Sequence, residues 1–351
     1  MRGRAHLNAV LHWSPDTRAG AADILAAALG MGVPMLLAGW AGHLPLGIAA
    51  ALGSLAITGV DAHASARVHA RALAGALLVA VLAGLAAALT GGHGTASEAM
   101  VIAIVGVAAL VSSYSRPLAV ATTRFVLFLL MALNVATSLH HPAALLVPLA
   151  AGALWTAGLH LLLACLLPVV APTPPEAPQR AVTHAQRWRH WRNTLTQPAG
   201  WQYTLRLVGA LSCAALLGHL WSGHHAGWIA MTVALLTQRQ PEPFAPKSTQ
   251  RVLGTILGVG LAAVLVGQPL PWWGVTLGAA LLAGARAMLR SRNYLAYSVV
   301  MTPLILMIMG AGMEGHAMAL SDRVLATLAG AVLVLLWDLA VGPILRVRTA
   351  S

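Results

Sequence analysis

Long apolar stretches, separated by short polar segments, follow one another along the whole sequence. A helix of about 20 apolar residues crosses the hydrocarbon core of a bilayer, so each stretch predicts one membrane span. The first six predicted spans are 22–42, 45–60, 72–90, 98–113, 118–138 and 143–168. The second six are 203–221, 226–240, 252–267, 272–289, 294–312 and 322–345. The pattern therefore predicts an all-α polytopic membrane protein with about 12 transmembrane helices.

Basic residues alternate between the two sets of loops. The loops on one side carry arginine or lysine, and those on the other side carry none before Arg323, where the last span begins. Because cytoplasmic loops are enriched in these residues, we expect both termini in the cytoplasm. The N-terminal segment lacks the apolar core of a signal peptide, so the first span should be retained. The expected location is the bacterial inner membrane, with the lipid bilayer around the helices.

The two groups of six spans resemble each other. A shift of 180 residues aligns 47–50 with 227–230, and 71–73 with 251–253, without a gap. Since six spans return the chain to its starting side, the two halves should share one orientation and form parallel repeats. The predicted units are a first repeat at 1–170, a cytoplasmic linker at 171–202 and a second repeat at 203–351.

A second self-match lies inside the second half. A Met-Thr pair precedes the motif Arg-Val-Leu-x-Thr-x-x-Gly over 231–258 and again over 301–330. Because the copies would start on opposite sides of the membrane, they predict a 3+3 inverted repeat in each half. Chance similarity in a Leu/Ala-rich sequence is the alternative. The small residues expected to pack helices closely are Gly254, Thr255, Gly258, Thr327 and Gly330.

The residues 227–232, a short Pro-rich loop and the motif at 251–258 resemble the second-half signature of the fusaric-acid-resistance family, integral membrane transporters similar to aromatic acid exporters. The resemblance implies efflux of small organic or aromatic acids, driven by protons and helped by a periplasmic adaptor. Long members of that family carry large cytoplasmic domains, so this chain resembles a short form. Two alternative functions are left open: an organic-anion channel and a non-transporting membrane assembly partner. For the partner, a homo-oligomer is the alternative to a periplasmic adaptor.

The composition excludes several other classes of protein. Hydrophobic residues make up 58% of the chain and charged residues 9%, which leaves no room for a soluble catalytic domain. No nucleophile motif, phosphate loop or zinc motif occurs, so neither an enzyme nor a cofactor is predicted. The net charge of +12 is spread over short loops, which favours membrane orientation over a nucleic-acid surface. Cys165 and Cys213 lie in apolar runs, where neither a disulfide nor a thiol metal site is expected.

Histidines cluster on the predicted outer side. They lack metal-ligand spacing, so no metal site is predicted. The residues concerned are His43, His93, His140, His141, His224, His225 and His316.

Ionisable residues inside spans are costly and mark candidate sites. Arg124 lies two helical turns beyond Arg116, at a depth that suggests a polar midplane site favouring anions. An arginine that reaches back to the lipid headgroups is the alternative. The further candidate substrate contacts are Trp228, Thr232, Thr302 and Arg251. Asp338 is the candidate proton-coupling carboxylate, with a structural ion pair as the alternative.

The linker carries one distinctive segment. Residues 187–192 alternate cations with aromatic side chains after a Pro-rich start. Such a segment, tethered at the cytoplasmic face, is typical of a surface helix lying on anionic lipid. Contact with nucleic acid is the weaker alternative.

Overall fold

A computed structural model describes residues 2–14, 19–60, 66–91, 94–136, 142–167, 183–220, 227–237, 244–266, 270–310 and 316–347. Over these ranges the chain is helical and contains no strand. The first seven α-helices are α1 (Arg2–Leu11), α2 (Ala21–Trp40), α3 (Leu44–Ile57), α4 (Ala66–Thr90), α5 (Thr95–Val111), α6 (Arg116–Ala136) and α7 (Leu146–Leu166). The next seven are α8 (His184–Thr196), α9 (Pro198–Leu220), α10 (Gly227–Leu236), α11 (Phe244–Val266), α12 (Trp272–Leu289), α13 (Tyr294–Gly310) and α14 (His316–Val347).

Every predicted span coincides with a helix, which makes the chain a multi-pass membrane protein. In the described part of the chain, eight helices are long and apolar enough to cross a bilayer: α2, α4, α6, α7, α9, α11, α12 and α14. The apolar helices α3, α5, α10 and α13 are shorter. At about 1.5 Å per residue, α10 is roughly 15 Å long, half the thickness of the hydrocarbon core. The count of twelve spans therefore stays a prediction for these four helices.

The same set of neighbours occurs twice in the bundle. In the first half α3 packs on α7, α4 packs on α6 and α7, and α2 packs on α3 and α7. In the second half α10 packs on α14, α11 packs on α13 and α14, and α9 packs on α10 and α14. The two halves also contact each other, because α2 packs on α12 and α9 packs on α5.

Glycines allow some of these helices to touch through their backbones. A Cβ atom on Gly53 of α3 would lie 1.9 Å from the carbonyl oxygen of Leu149 in α7, and one on Gly152 would lie 1.9 Å from that of Ala50. No side chain fits in such a space. The buried hydroxyl of Ser54 on α3 donates to the carbonyl of Gly30 on α2 at 2.5 Å. This bond holds α2 against α3 at the point where α3 crosses α7.

Two helices stand apart from the predicted spans. The first, α1, is held against α11 and the start of α13, where Gln250 donates to the carbonyl of Val10 and Asn293 to that of His12. The second, α8, begins with a capping box between Thr183 and Gln186 and buries none of its residues. It is the surface helix expected in the linker, and its lipid contact stays a prediction. Residues 171–182 of the linker lie outside the described residues.

Candidate functional site

Two arginines of the second half are fully buried inside the bundle. Arg251 on α11 is 1% exposed and Arg323 on α14 is 0% exposed. In the sequence both stand at the start of a predicted span, at 252 and 322. Each helix begins seven residues earlier than its arginine, at Phe244 and His316, so each guanidinium starts about 10 Å along its helix.

Arg323 is held by an aromatic ring from α10. Its guanidinium carbon lies 3.9 Å from the ring centroid of Trp228, which is 1% exposed. This cation–π contact contributes roughly 0.5–2 kcal/mol, more when desolvated. One turn along α10, the Thr232 hydroxyl donates to the carbonyl of Trp228 at 3.0 Å. Gly330 of α14 faces Thr232, since a Cβ there would lie 2.7 Å from the Cβ of Thr232.

Arg251 occupies the corresponding place against α13. It lies beside the hydroxyl of Tyr294, which also neighbours Ser298. A Cβ on Gly254 would lie 2.5 Å from the Cβ of Ser298, and one on Gly258 would lie 2.7 Å from the Cβ of Thr302. The α11 motif thus packs on α13 as the α14 motif packs on α10.

The two motif copies exchange partners. The glycine that ends the first copy, Gly258, meets Thr302 of the second copy, and Gly330 of the second copy meets Thr232 of the first. Trp228 and Ser298 stand three residues before Met231 and Met301 in their copies. Trp228 contacts Arg323 of the other copy, and Ser298 faces Gly254 of the other copy. Reciprocal contacts of this kind are what a pseudo-two-fold relation produces.

The electrostatics of this cluster favour an anion. Arg251 and Arg323 lie close enough to repel each other. The guanidinium nitrogens of Arg323, and Nε of Arg251, make no hydrogen bond within the described part of the chain. The ion pairs found there use other residues and none involves these two arginines. A buried cation needs a counter-charge or hydrogen-bond acceptors, and a small carboxylate would supply both.

Arg124 lies elsewhere, at the C-terminal end of α3. Its Nη2 donates to the carbonyl of Gly59 at 2.5 Å, and Nη1 of Arg290 donates to the same oxygen at 2.7 Å. The buried Arg286 donates to the carbonyl of Thr58 at 2.8 Å and to its hydroxyl. The negative end of the α3 dipole attracts such cations. The described bonds of Arg124 therefore join it to α3 rather than to Arg251 or Thr302.

Asp338 of α14 forms an ion pair with Arg206 of α9, and the two side chains are 23% and 21% exposed. This geometry matches the structural alternative stated for Asp338. Next to it, the indole of Trp337 donates to the sulfur of Cys213 at 3.4 Å.

Arg323, Tyr294 and Ser298 were not among the candidate residues from the sequence. The signal for Arg323 was present, because it aligns with Arg251 in the second self-match. The other two stand on α13 without a motif of their own.

Within the described ranges, no group of three or more His, Cys, Asp or Glu residues is placed to hold a metal ion. Of the outer histidines, only His43 has its side chain in the described part. Cys165 and Cys213 are both free.

Residues 213–337 match the family described as fusaric acid resistance protein-like. The match contains Trp228, Arg251, Thr302 and Arg323, so it spans the whole cluster of buried arginines. The resemblance expected from the sequence is confirmed over these residues. No curated protein and no solved structure matches the chain.

Proposed function

We propose that this multi-pass membrane protein, whose residues 213–337 match the fusaric-acid-resistance-like family, exports small organic or aromatic acids. Arg251, Arg323 and Trp228 bind the carboxylate form of the substrate. The observation that carries the proposal is the pair of fully buried guanidinium groups for which the described residues offer no carboxylate.

The chemistry of the cluster suits an aromatic carboxylate. A guanidinium presents a planar fork of N–H donors that matches the two oxygens of a carboxylate. The indole of Trp228 adds a flat apolar surface beside Arg323. An acid that binds between the two arginines would also relieve their mutual repulsion, so the occupied site is more stable than the empty one.

The proposed architecture is two parallel six-helix repeats with an inverted repeat inside each half. The repeated set of helix neighbours supports the first relation. The exchange of threonine and glycine partners between 231–258 and 301–330 supports the second. Carriers built in this way place their substrate at the interface of the repeats, where the buried arginines lie. Alternating basic loops support cytoplasmic termini in a bacterial inner membrane, with proton coupling and an adaptor as further parts of the proposal.

The experiment uses inside-out membrane vesicles and a panel of carboxylates that includes fusaric acid and benzoate. With an acidic lumen, a weak acid left to itself distributes toward the alkaline outside. Accumulation in the lumen against that tendency therefore requires coupled transport. We expect such accumulation of at least one aromatic acid.

Arg251→Gln should lower the initial rate at low substrate concentration roughly ten- to hundredfold, because a buried charge contact is lost. Arg71→Gln is the matched control, since the 180-residue shift aligns it with Arg251 and its side chain is exposed on α4. Arg124→Leu tests the alternative position at the end of α3. Absence of accumulation with any acid, or a folded Arg251→Gln variant with full activity, contradicts the proposal. Unitary anion currents without accumulation would instead identify a channel.

A further inference from the structure

Three ionisable side chains from three helices of the first half meet in one place. Nδ1 of His160 on α7 lies 3.5 Å from a carboxylate oxygen of Asp23 on α2. The ring of His69 on α4 stands edge-on to that of His160, with 6.1 Å between the ring centroids. None of the three belongs to the buried arginine cluster or to the matched residues 213–337.

The two histidines are shielded from the surroundings. His69 is 4% and His160 is 3% exposed, whereas Asp23 remains about a quarter exposed in its side chain. Nε2 of His160 is buried and makes no hydrogen bond with the described residues. Such groups inside a membrane protein are costly, and they occur where ions or protons pass. Apolar residues, which fill the rest of these helices, would make a purely structural contact at a lower cost in free energy.

Most other charged side chains on the neighbouring helices are cations, and they are exposed or bind other groups. Helix α3, which packs on both α4 and α7, has no titratable side chain over Leu44–Ile57. On the elements next to α2 and α4, the cations Arg124, Arg286 and Arg290 bind the end of α3. The arginines nearest to His69 in sequence, Arg67 and Arg71, are exposed. Asp23 is therefore the acidic group that faces the histidine pair in the described part.

We propose that Asp23, His69 and His160 form the proton-binding site that couples transport to the proton gradient. The inference rests on the proposed function as an acid exporter. Neutral His160 takes up one proton on its imidazole ring, and the carboxylate of Asp23 balances the resulting imidazolium. His69 is the adjacent group that passes the proton on or receives it. When the proton leaves, both rings return to the neutral form.

The position of the site fits the release of inward-moving protons. Asp23 and His69 stand in the first turn of α2 and α4, and His160 stands near the last turn of α7. All three therefore lie at the end of the bundle that the loop charges predict to face the cytoplasm. The candidate carboxylate from the sequence, Asp338, lies in the second half and is paired with Arg206.

The test separates coupling from transport. Vesicles of wild type, Asp23→Asn and His160→Gln are compared in two assays with labelled benzoate, or with another aromatic acid that the wild type accumulates. The first assay measures exchange of labelled for unlabelled acid without a gradient. The second measures accumulation with an acidic lumen, together with proton movement reported by a trapped pH indicator. His219→Gln is the matched control, because His219 is an exposed histidine paired with Glu98.

We expect both variants to keep exchange within about twofold of wild type, and to lose at least tenfold of the gradient-driven accumulation and its proton flux. The control variant His219→Gln should keep exchange, gradient-driven accumulation and proton flux at the wild-type level.

Full coupling in Asp23→Asn and His160→Gln overturns the proposal. Loss of exchange in a monodisperse variant also counts against it, since exchange needs no net proton transfer. If His160→Gln fails to fold, the outcome for Asp23→Asn alone tests the proposal, because this substitution is isosteric and its site is partly exposed. Wild-type vesicles without any exchange or accumulation would refute the proposed function itself.

Discussion

The contact between Trp228 and Arg323 offers the sharpest prediction for a single side chain. Trp228→Leu keeps the site apolar but removes the ring on which the guanidinium lies. Without the ring, the Arg323 guanidinium loses a contact of roughly 0.5–2 kcal/mol that fixes its position, so the half-saturating acid concentration should rise, by at most about 30-fold. The half-saturating concentration of Trp228→Phe should lie between those of wild type and Trp228→Leu, because a smaller ring attracts the cation less strongly. Initial rates over a range of acid concentrations in vesicles provide the measurement.

Trp273→Leu is the matched control for this series, because Trp273 is an exposed tryptophan on α12. Its replacement should leave the half-saturating concentration unchanged. An unchanged value in a folded Trp228→Leu variant would remove Trp228 from the site.

Individual site residues were predictable where a motif marked them. Arg251, Thr232 and Thr302 stood in a repeated pattern, and the structure brings them to paired helix contacts. Arg124 could not be placed, because depth along a helix does not tell which neighbour the side chain meets. The end of α3, which it binds, comes from 65 positions earlier in the chain.

At the scale of helices, the close approach of α11 to α13 predicts a difference between two glycines one half-turn apart. Gly258→Ala would place a Cβ 2.7 Å from the Cβ of Thr302, whereas Gly260 has nothing within 4 Å. Overpacking of this kind costs about 1–3 kcal/mol, so Gly258→Ala should lower the thermal unfolding midpoint by several degrees. Gly260→Ala is the control, and its better helix propensity should leave the midpoint unchanged or slightly higher.

The measurement is thermal unfolding of both purified variants in the same detergent. Equal midpoints would show that α11 and α13 do not pack as closely as the structure places them.

Hydropathy located the helix of each predicted span, but it located neither α1 and α8 nor every helix end. The spans predicted from 252 and 322 correspond to helices that begin at Phe244 and His316. Before 252 the helix continues through the polar segment 247–251, where a hydropathy criterion stops, whereas the residues from His316 to Ser321 are mostly apolar. Arg251 and Arg323 therefore stand about two turns inside their helices rather than at the helix ends.

For the molecule as a whole, the contact between α2 and α12 joins the two halves and can be locked. A Cβ on Gly284 would lie 3.5 Å from the Cβ of Ala28, within the range of about 3.5–4.5 Å that a disulfide requires. In a background without Cys165 and Cys213, Ala28→Cys with Gly284→Cys should therefore crosslink under oxidation. If transport requires the halves to move against each other, oxidation should abolish accumulation and reduction should restore it.

Each single cysteine variant is the control, and neither should respond to the oxidant. Full transport by a quantitatively crosslinked protein would rule out relative motion at this contact and would favour a channel-like path.

The repeat within the chain was predictable from the sequence, because a fixed shift aligns short motifs. The way in which the halves hold each other was not. Helix α2 meets α12 rather than its counterpart α9, and α9 meets α5. Such crossed contacts leave no periodic signal, since the small residues involved also occur at contacts within each half.

The contact between α2 and α12 can form only late in biosynthesis, because the two helices are far apart in the sequence. The ribosome finishes α2 at Trp40 but does not begin its partner until Trp272. At about 5–20 residues per second, the small-residue face of α2 waits roughly 10 to 50 s in the bilayer without its final neighbour. During that interval the nascent first half exposes a surface made for another helix. Maturation of this protein thus depends on what occupies that surface until translation reaches the last quarter of the message.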